Sequence, residues 1–455
     1  MAGDAVNALI PVAAVVHIAL GIMALILVRR SVDKGWNERF AGYIISWMML
    51  ILGMEYIFKT IIDLKLASFS DAQLLQGAYT DLLDSGYTYA EKSMNTVFVC
   101  LVFILPLVYP YPILQKDNVL KICTAIVIIL GIILVPLDIF TEFSYRDPKL
   151  ALLWVCYLVW IPVYLRFLFG ELLYGEEKSR EVSSVTVLLL LGIFGPNWIF
   201  WLQSVTGLSK GYFQRWLVED EVILGMVAQT SIGTTVQVIG MTLSGVSFLV
   251  ILFGELWRAY SKEISGLTVA VGLVFIVGVM WFLITIVVSE TAESCVESVC
   301  EAWDPTFIDW YAFTYQVTLF LGVPLVFMFI VLNYNIVETT TDYSKLITRI
   351  MVLLLLLVAT SSLIEMIQII LPIPEMVTSA LFAGGVVLFI GWEEKIMNRM
   401  ITEKSNVIKS IRIIMPMNDI NLGNRQYKTF SIAIFCLIIY SILLSILFDS
   451  IGINT

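Results

Sequence analysis

Residues 40–62 read FAGYIISWMMLILGMEYIFKTII, a run in which only Glu55 and Lys59 carry a charge. A helix that crosses a bilayer needs about 20 predominantly apolar residues, so this stretch by itself predicts a transmembrane helix. Similar runs recur along the 455 residues, of which 59% are hydrophobic and only 14% are charged. Soluble domains carry roughly 25% charged residues. The sequence therefore predicts an all-α integral membrane protein, a polytopic helical bundle.

About twelve spans account for nearly the whole chain, so 1–455 reads as a single membrane domain. The predicted spans are 6–28, 40–62, 94–114, 120–140, 150–172, 183–205, 233–256, 266–289, 311–333, 347–371, 376–392 and 429–448. The longest stretch between spans is about 35 residues, well below the size of a normal soluble domain. A multi-pass protein of a cell membrane without a soluble domain is therefore expected.

Three segments outside the spans differ from ordinary short loops. We predict an interfacial element on the outer side at 207–232 and an acidic outer loop at 290–309, which is either a solvated loop or a weak calcium site. The third segment, 393–428, is basic and lies on the inner side. Within it, KSNVIKSIRIIM at 404–415 alternates basic and apolar residues at helical spacing. This pattern predicts an interfacial helix that binds anionic lipid, or else docks a protein partner.

The distribution of basic residues predicts the orientation of the chain. Lysine and arginine are enriched in loops on the cytoplasmic side, whereas acidic residues count for little. With the N-terminus outside, 19 of the 27 basic residues fall in inner loops, among them Arg39 and Arg258, and six fall in outer loops, among them Lys149. Both termini are therefore predicted to lie outside.

An internal repeat links several of the inner span ends. FGEL occurs at 169–172 and again at 253–256, and YSK occurs at 260–262 and again at 343–345. The matching segments have the same orientation, so we predict a bundle of repeated parallel helical hairpins.

Carboxylates mark the inner ends of four predicted spans: Glu171, Glu255, Glu338 and Glu394. A glutamate at the C-terminal end of a helix opposes the helix dipole, so a nearby cation is expected to compensate it. One interpretation is a pair with the lysine seven residues further along, which is Lys178 for Glu171 and Lys262 for Glu255. The other interpretation is a ring of carboxylates at the inner mouth of a pathway.

A second set of polar residues falls at one predicted depth, in the outer third of the hydrocarbon core. Counted from the inner boundary at 1.5 Å per residue, the members lie at about 22–28 Å. They are Glu55, Lys59, Asp138, Asn197 and Glu365. Ionisable residues inside a membrane point to a functional site by default, although side chains near the surface can also extend to the headgroups. As a site, this layer is net acidic and favours a cation, a proton or an amine-bearing solute.

Within the layer, three residues have distinct local settings. Glu55 and Lys59 are four apart, in the order that favours an ion pair on one helix face. Glu365 has no such local partner, and we expect it to face the bundle interior near Lys59 or Glu55.

The cysteines and the single histidine give no sign of a metal or haem centre, so we expect no cofactor. Cys295 and Cys300 lie in the acidic outer loop and predict a local disulfide. The other four cysteines lie in spans and are interpreted as packing residues. His17 lies in the middle of the first span, where we expect a neutral ring bonded to a neighbouring helix.

The functional prediction follows from these features. No phosphate-binding, metalloprotease or nucleophile-elbow motif is present, which favours a protein that is not an enzyme. A net charge of −10 argues against nucleic-acid binding. We expect a secondary transporter or channel-like protein for a cation, a proton or a small amine-bearing solute. The alternative is a non-catalytic membrane sensor or scaffold subunit that acts through a separate partner.

Overall fold

The computed structural model describes residues 2–69, 82, 84–141, 147–194, 231–262, 264, 266–293, 320–337, 343–354, 357, 406–418 and 420–451. Every regular element in these ranges is a helix, and no strand occurs among them. In chain order the helices are α1 (Ala2–Arg30), α2 (Trp36–Ser68), α3 (Gly86–Val108), α4 (Val119–Phe140), α5 (Asp147–Tyr174), α6 (Ser179–Phe194), α7 (Ser231–Ser261), α8 (Gly266–Glu293), α9 (Phe320–Asn333), α10 (343–354), α11 (Val407–Ile414) and α12 (Asn424–Ile451).

Seven helices in the described part are long and apolar enough to cross a membrane. Their apolar portions are Leu9–Arg30, Trp36–Ser68, Gly86–Val108, Val119–Phe140, Pro148–Tyr174, Thr242–Ser261 and Asn424–Ile451. Each of them overlaps one of the predicted spans. The chain is therefore a helical membrane protein.

The other predicted spans are described to different extents. The eighth, 266–289, lies within α8, and the ninth, 311–333, contains the shorter apolar helix Phe320–Asn333. The eleventh predicted span, 376–392, and residues 207–230 of the predicted interfacial element lie outside the described residues.

The third predicted span, 94–114, was wrong at both ends. The helix begins at Gly86 and ends at Val108, and Tyr109 adopts an extended conformation. Pro110 and Pro112 follow directly. The residue before a proline is disfavoured in the helical conformation, so the helix ends here although the apolar residues continue.

The chain divides into two compact units. The first comprises Met1–Val135, Asp304–Ile408 and Asn418–Thr455, and the second comprises Pro136–Trp303 and Lys409–Met417. In the first unit α2 packs against α1, α3 and α12, and α12 also contacts α3. In the second unit α5 packs against α6 and α7, and α7 contacts α8.

A close approach of two backbones defines the α1–α2 contact. A Cβ atom built on Gly53 of α2 would lie 2.5 Å from Ile18 Cγ1, 3.1 Å from the Ile18 backbone nitrogen and 3.3 Å from the Ala14 carbonyl oxygen. Small residues allow membrane helices to pack closely, and van der Waals contact is a main force that associates such helices.

Gly53→Ala should therefore destabilise the protein, because the added methyl group meets backbone atoms that cannot move aside. Overpacking of this kind costs about 1–3 kcal/mol, which a thermal unfolding midpoint of the detergent-purified protein will report. The control is Gly272→Ala on α8, where no atom of the described residues lies within 4 Å of the added Cβ. We expect no loss of stability there, and an equal loss in both variants would contradict the close-contact explanation.

Candidate functional site

A buried cluster of charged groups lies where α5, α6 and α7 meet in the second unit. Glu171 of α5, Glu255 of α7 and Arg258 of α7 are each at most 2% exposed. Charged side chains are almost never fully buried unless they are paired. The pairing within this cluster therefore determines what it can do.

One guanidinium group, that of Arg258, joins all three helices. Its Nη1 atom donates to both carboxylate oxygens of Glu255, at 2.7 and 2.9 Å. Its Nη2 atom donates to Ser183 Oγ of α6 at 2.6 Å. Its Nε atom lies 3.0 Å from Glu171 Oε2 of α5, at ion-pair distance but without hydrogen-bond alignment. Two carboxylates thus share a single buried cation.

Local sequence explains part of this arrangement. Glu255 and Arg258 are three residues apart on α7, so they lie on the same helix face. Tyr164 of α5 adds a further link, because its hydroxyl donates to Glu255 Oε1 at 3.1 Å.

The glycine of the second FGEL sequence has a specific steric role. A Cβ atom built on Gly254 would overlap the hydroxyl oxygen of Tyr164 and lie 2.8 Å from Leu168 Cδ2. Only glycine lets α5 approach α7 closely enough for Tyr164 to reach Glu255. The sequence analysis identified FGEL as an internal repeat of this chain. The structure adds the reason why the second copy needs a glycine.

The predicted pairing of each glutamate with the lysine seven residues along was wrong for Glu255. Glu255 pairs with Arg258 on its own helix, while Lys262 Nζ lies 3.7 Å from Glu171 Oε1. Because α7 continues to Ser261, Arg258 lies on this helix and not in the inner loop to which we had assigned it. It is buried there and reaches Glu255, three residues earlier on the same helix. Glu338 and Glu394 lie outside the described residues.

Asp138, a member of the predicted polar layer, forms an ion pair at the other end of α5. Its Oδ2 atom lies 3.1 Å from Nζ of Lys149, with the two side chains 1% and 13% exposed. Lys149 had been assigned to an outer loop, but α5 begins at Asp147 and includes it. Asp138 therefore has a cationic partner that the sequence analysis did not propose.

Glu55 and Lys59 of the same predicted layer lie on α2, in the first unit. Lys59 Nζ lies over the ring of Phe320 on α9, 5.6 Å from its centroid. The Glu55–Lys59 ion pair stays a prediction. Asn197 and Glu365 lie outside the described residues, so the five-residue layer as a whole also stays a prediction.

His17 differs from the expectation that it bonds to a neighbouring helix. Its Nδ1 atom lies 2.7 Å from the Ala13 carbonyl oxygen, one turn earlier on its own helix. Its contact with α2 is instead an edge-on ring contact with Tyr56, at 5.0 Å between centroids.

Four consecutive residues at the start of α2, Trp36 to Arg39, are buried, which the sequence analysis missed. It had assigned Arg39 to an inner loop. Instead, the guanidinium of Arg39 lies over the ring of Tyr427 on α12, 4.5 Å from its centroid. The available signal was the polar run Asn37–Glu38–Arg39, which directly follows a tryptophan at the start of a helix.

The described cysteines are all reduced. Cys100, Cys123 and Cys156 are buried, as expected for packing residues, whereas Cys436 is exposed. Cys295 and Cys300 lie outside the described residues, so their disulfide stays a prediction. In the described ranges no group of three or more histidine, cysteine, aspartate or glutamate side chains could hold a metal ion.

No protein-family model, curated protein or solved structure matches this chain.

Proposed function

We propose that this protein is a secondary transporter or channel-like protein for a cation, a proton or a small amine-bearing solute. The observation that carries the proposal is the sharing of buried Arg258 by Glu171 and Glu255. Ionisable side chains inside membrane helices are costly and characteristically mark ion or proton pathways. The cluster joins three helices through one cation, so a change at one carboxylate affects all three.

The proposed mechanism is competition for the carboxylates. A proton or a solute cation that binds Glu171 or Glu255 neutralises the charge of that carboxylate. The ion pair between that carboxylate and Arg258 then becomes weaker. Lys262 is 38% exposed beside Glu171, which supports access from the inner side. An open groove of about 600 Å³, lined by Arg166, Phe169 and Glu176 among others, lies at the same end of α5 and supports the same route. In the absence of a nucleotide-binding motif, an ion gradient supplies the energy.

The test is flux through liposomes that contain only the purified protein. With an encapsulated pH-sensitive dye, a pH jump should give faster equilibration than in empty liposomes. Glu255→Gln should reduce this rate at least about tenfold, because the neutral amide cannot exchange a proton or hold a cation as the carboxylate does.

The matched control is Glu177→Gln. Glu177 is exposed between α5 and α6 and does not line the groove. This variant should keep the wild-type rate. If wild-type liposomes equilibrate no faster than empty ones for protons, metal cations and methylammonium, transport is refuted. Additional subunits that co-purify with the protein would then favour the sensor or scaffold function.

The proposed architecture is a bundle of about twelve spans built from repeated parallel hairpins, with both termini outside. Helices α5 and α6 are joined by a short connection, as are α7 and α8, and the FGEL glutamates of α5 and α7 enter one cluster. These features support a hairpin repeat. We also propose that Cys295 and Cys300 form a disulfide in the outer loop. In addition, we propose that the segment 404–415 binds anionic lipid. Lys409 and Arg412 are exposed on α11, which supports lipid binding.

Impermeant maleimide labelling of intact cells tests the orientation. Single cysteines at Ser85 and at Thr455, in a cysteine-free background, should react, and one at Ser405 should not. Labelling at Ser405 without labelling at Ser85 would show the opposite topology. The cluster of Glu171, Glu255 and Arg258 would then lie on the outer side.

A further inference from the structure

The imidazole of His17 has one nitrogen whose hydrogen-bonding capacity is unused. A carbonyl oxygen is only an acceptor, so the 2.7 Å contact with Ala13 requires that Nδ1 carries the hydrogen. In the neutral ring Nε2 is then an acceptor with a free lone pair. Nε2 is fully buried, and within the described part of the chain no donor reaches it. A hydrogen-bond donor that entered this position would recover the cost of a buried, unsatisfied acceptor.

The helices hold this nitrogen in a defined place. The close contact of Gly53 with Ile18 and Ala14 lies within one turn of His17 and brings α1 directly against α2. The bond to Ala13 fixes one side of the ring, and the edge-on contact with Tyr56 covers another. The acceptor is therefore part of a preorganised site.

Aromatic rings continue from His17 toward α9. Tyr56 contacts the ring of Phe320 edge-on, at 5.2 Å between centroids, and Phe320 carries the Lys59 ammonium over its face. Ring faces attract cations, most strongly where water is excluded. The presence of Lys59 supports the capacity of this ring array to accommodate an ammonium group.

Two carboxylates of the described part, Glu55 and Glu91, act electrostatically on Tyr56, and Lys59 is the ammonium beside Phe320. A carboxylate attracts a cation. A neutral histidine can accept a hydrogen bond from that cation without adding a further buried charge.

We propose that His17 Nε2 and the rings of Tyr56 and Phe320 form a binding site for a small primary ammonium cation. The ammonium donates an N–H to Nε2, places its charge against the rings, and is attracted by the Glu55 and Glu91 carboxylates. The inference deepens the proposed function by naming the amine-bearing class, and it rests on that function only for its role in transport. Binding itself is measurable without any flux.

The chain contains a single histidine, so ¹⁵N-histidine labelling gives the spectrum of this site alone. In lipid nanodiscs at neutral pH, we expect a neutral ring with hydrogen on Nδ1. Methylammonium chloride should shift the Nε2 resonance in a saturable way. Tetramethylammonium chloride, which has the charge but no N–H, should not shift it.

Two results would overturn the proposal. One is an Nε2 resonance that is unaffected by methylammonium, as expected for an ordinary core histidine. The other is a response only to lower pH in ammonium-free buffer, which would make the ligand a proton rather than an ammonium.

Radiolabelled methylammonium binding to variants gives a second measurement. His17→Phe keeps a ring but removes the acceptor, and should abolish saturable binding. Phe320→Leu should weaken binding roughly thirtyfold, the size of a desolvated cation–π contact. The matched control is Phe329→Leu on the same helix, where the side chain is 38% exposed, and it should leave binding unchanged. Equal effects of Phe320→Leu and Phe329→Leu would exclude a role for the ring array.

The two proposals fail in different ways. Methylammonium binding without flux through liposomes would refute transport and keep the ammonium site. Flux that depends on Glu255, together with an unresponsive His17, would keep transport and refute the ammonium site.

Discussion

Arg258→Met should be among the most damaging single substitutions in this protein. It removes the cation shared by Glu171 and Glu255. Both carboxylates, which are at most 2% exposed, then remain buried without this cation. Removal of one partner of a buried ion pair costs about 3–5 kcal/mol, which is a large part of the stability of a typical protein. We expect little folded protein in a fluorescence-detected size-exclusion assay at neutral pH.

The cause of this loss can be separated from a general packing defect. The triple variant Arg258→Met, Glu171→Gln, Glu255→Gln should regain most of the lost stability at neutral pH, because no uncompensated charge remains.

The control is Arg166→Met. Arg166 is 43% exposed and lies 3.8 Å from Glu176; an exposed pair of this kind contributes about 0–1 kcal/mol. A loss of folded protein in Arg166→Met equal to that in Arg258→Met would contradict the importance of the shared cation.

Gly254→Val should have the second large effect. The Cβ atom alone overlaps the Tyr164 hydroxyl and approaches Leu168 Cδ2 to 2.8 Å, and valine adds two further methyl groups. We expect a loss of at least about 3 kcal/mol, the upper end for overpacked interiors, measured as a fall in the thermal unfolding midpoint. Tyr164 would also be displaced from Glu255, so flux should fall as well.

A double-variant comparison identifies the colliding group. Gly254→Ala should be intermediate in stability, and Tyr164→Phe combined with it should restore part of the loss, because the hydroxyl that meets the new methyl group is gone. This predicts a favourable coupling between the two substitutions. Additive losses would mean that Tyr164 is not the group that requires a glycine here. Gly272→Val on α8, where no described atom lies within 4 Å of the added Cβ, should be close to neutral.

The class of the protein and the positions of its principal helices followed from the sequence alone. A membrane span requires about 20 consecutive apolar residues, and this is a local property that any sufficiently long run displays. The seven long apolar helices of the described part each overlap a predicted span, although their ends differ by up to about eight residues, as at Gly86. The FGEL repeat also directed attention to Glu171 and Glu255, because a carboxylate at the C-terminal end of a helix requires compensation.

The partners of these charged groups were decided only by the tertiary structure. That Arg258 serves both glutamates, that Asp138 pairs with Lys149, and that Arg39 lies over Tyr427 all depend on how helices are rotated and spaced. A helix in water shows its buried face as an apolar stripe. In a bilayer the lipid-facing side is apolar as well, so the periodicity that would indicate the buried face is weak. The sequence therefore determined which segments enter the membrane and which charges need a partner, whereas packing between distant segments determined which partner each charge received.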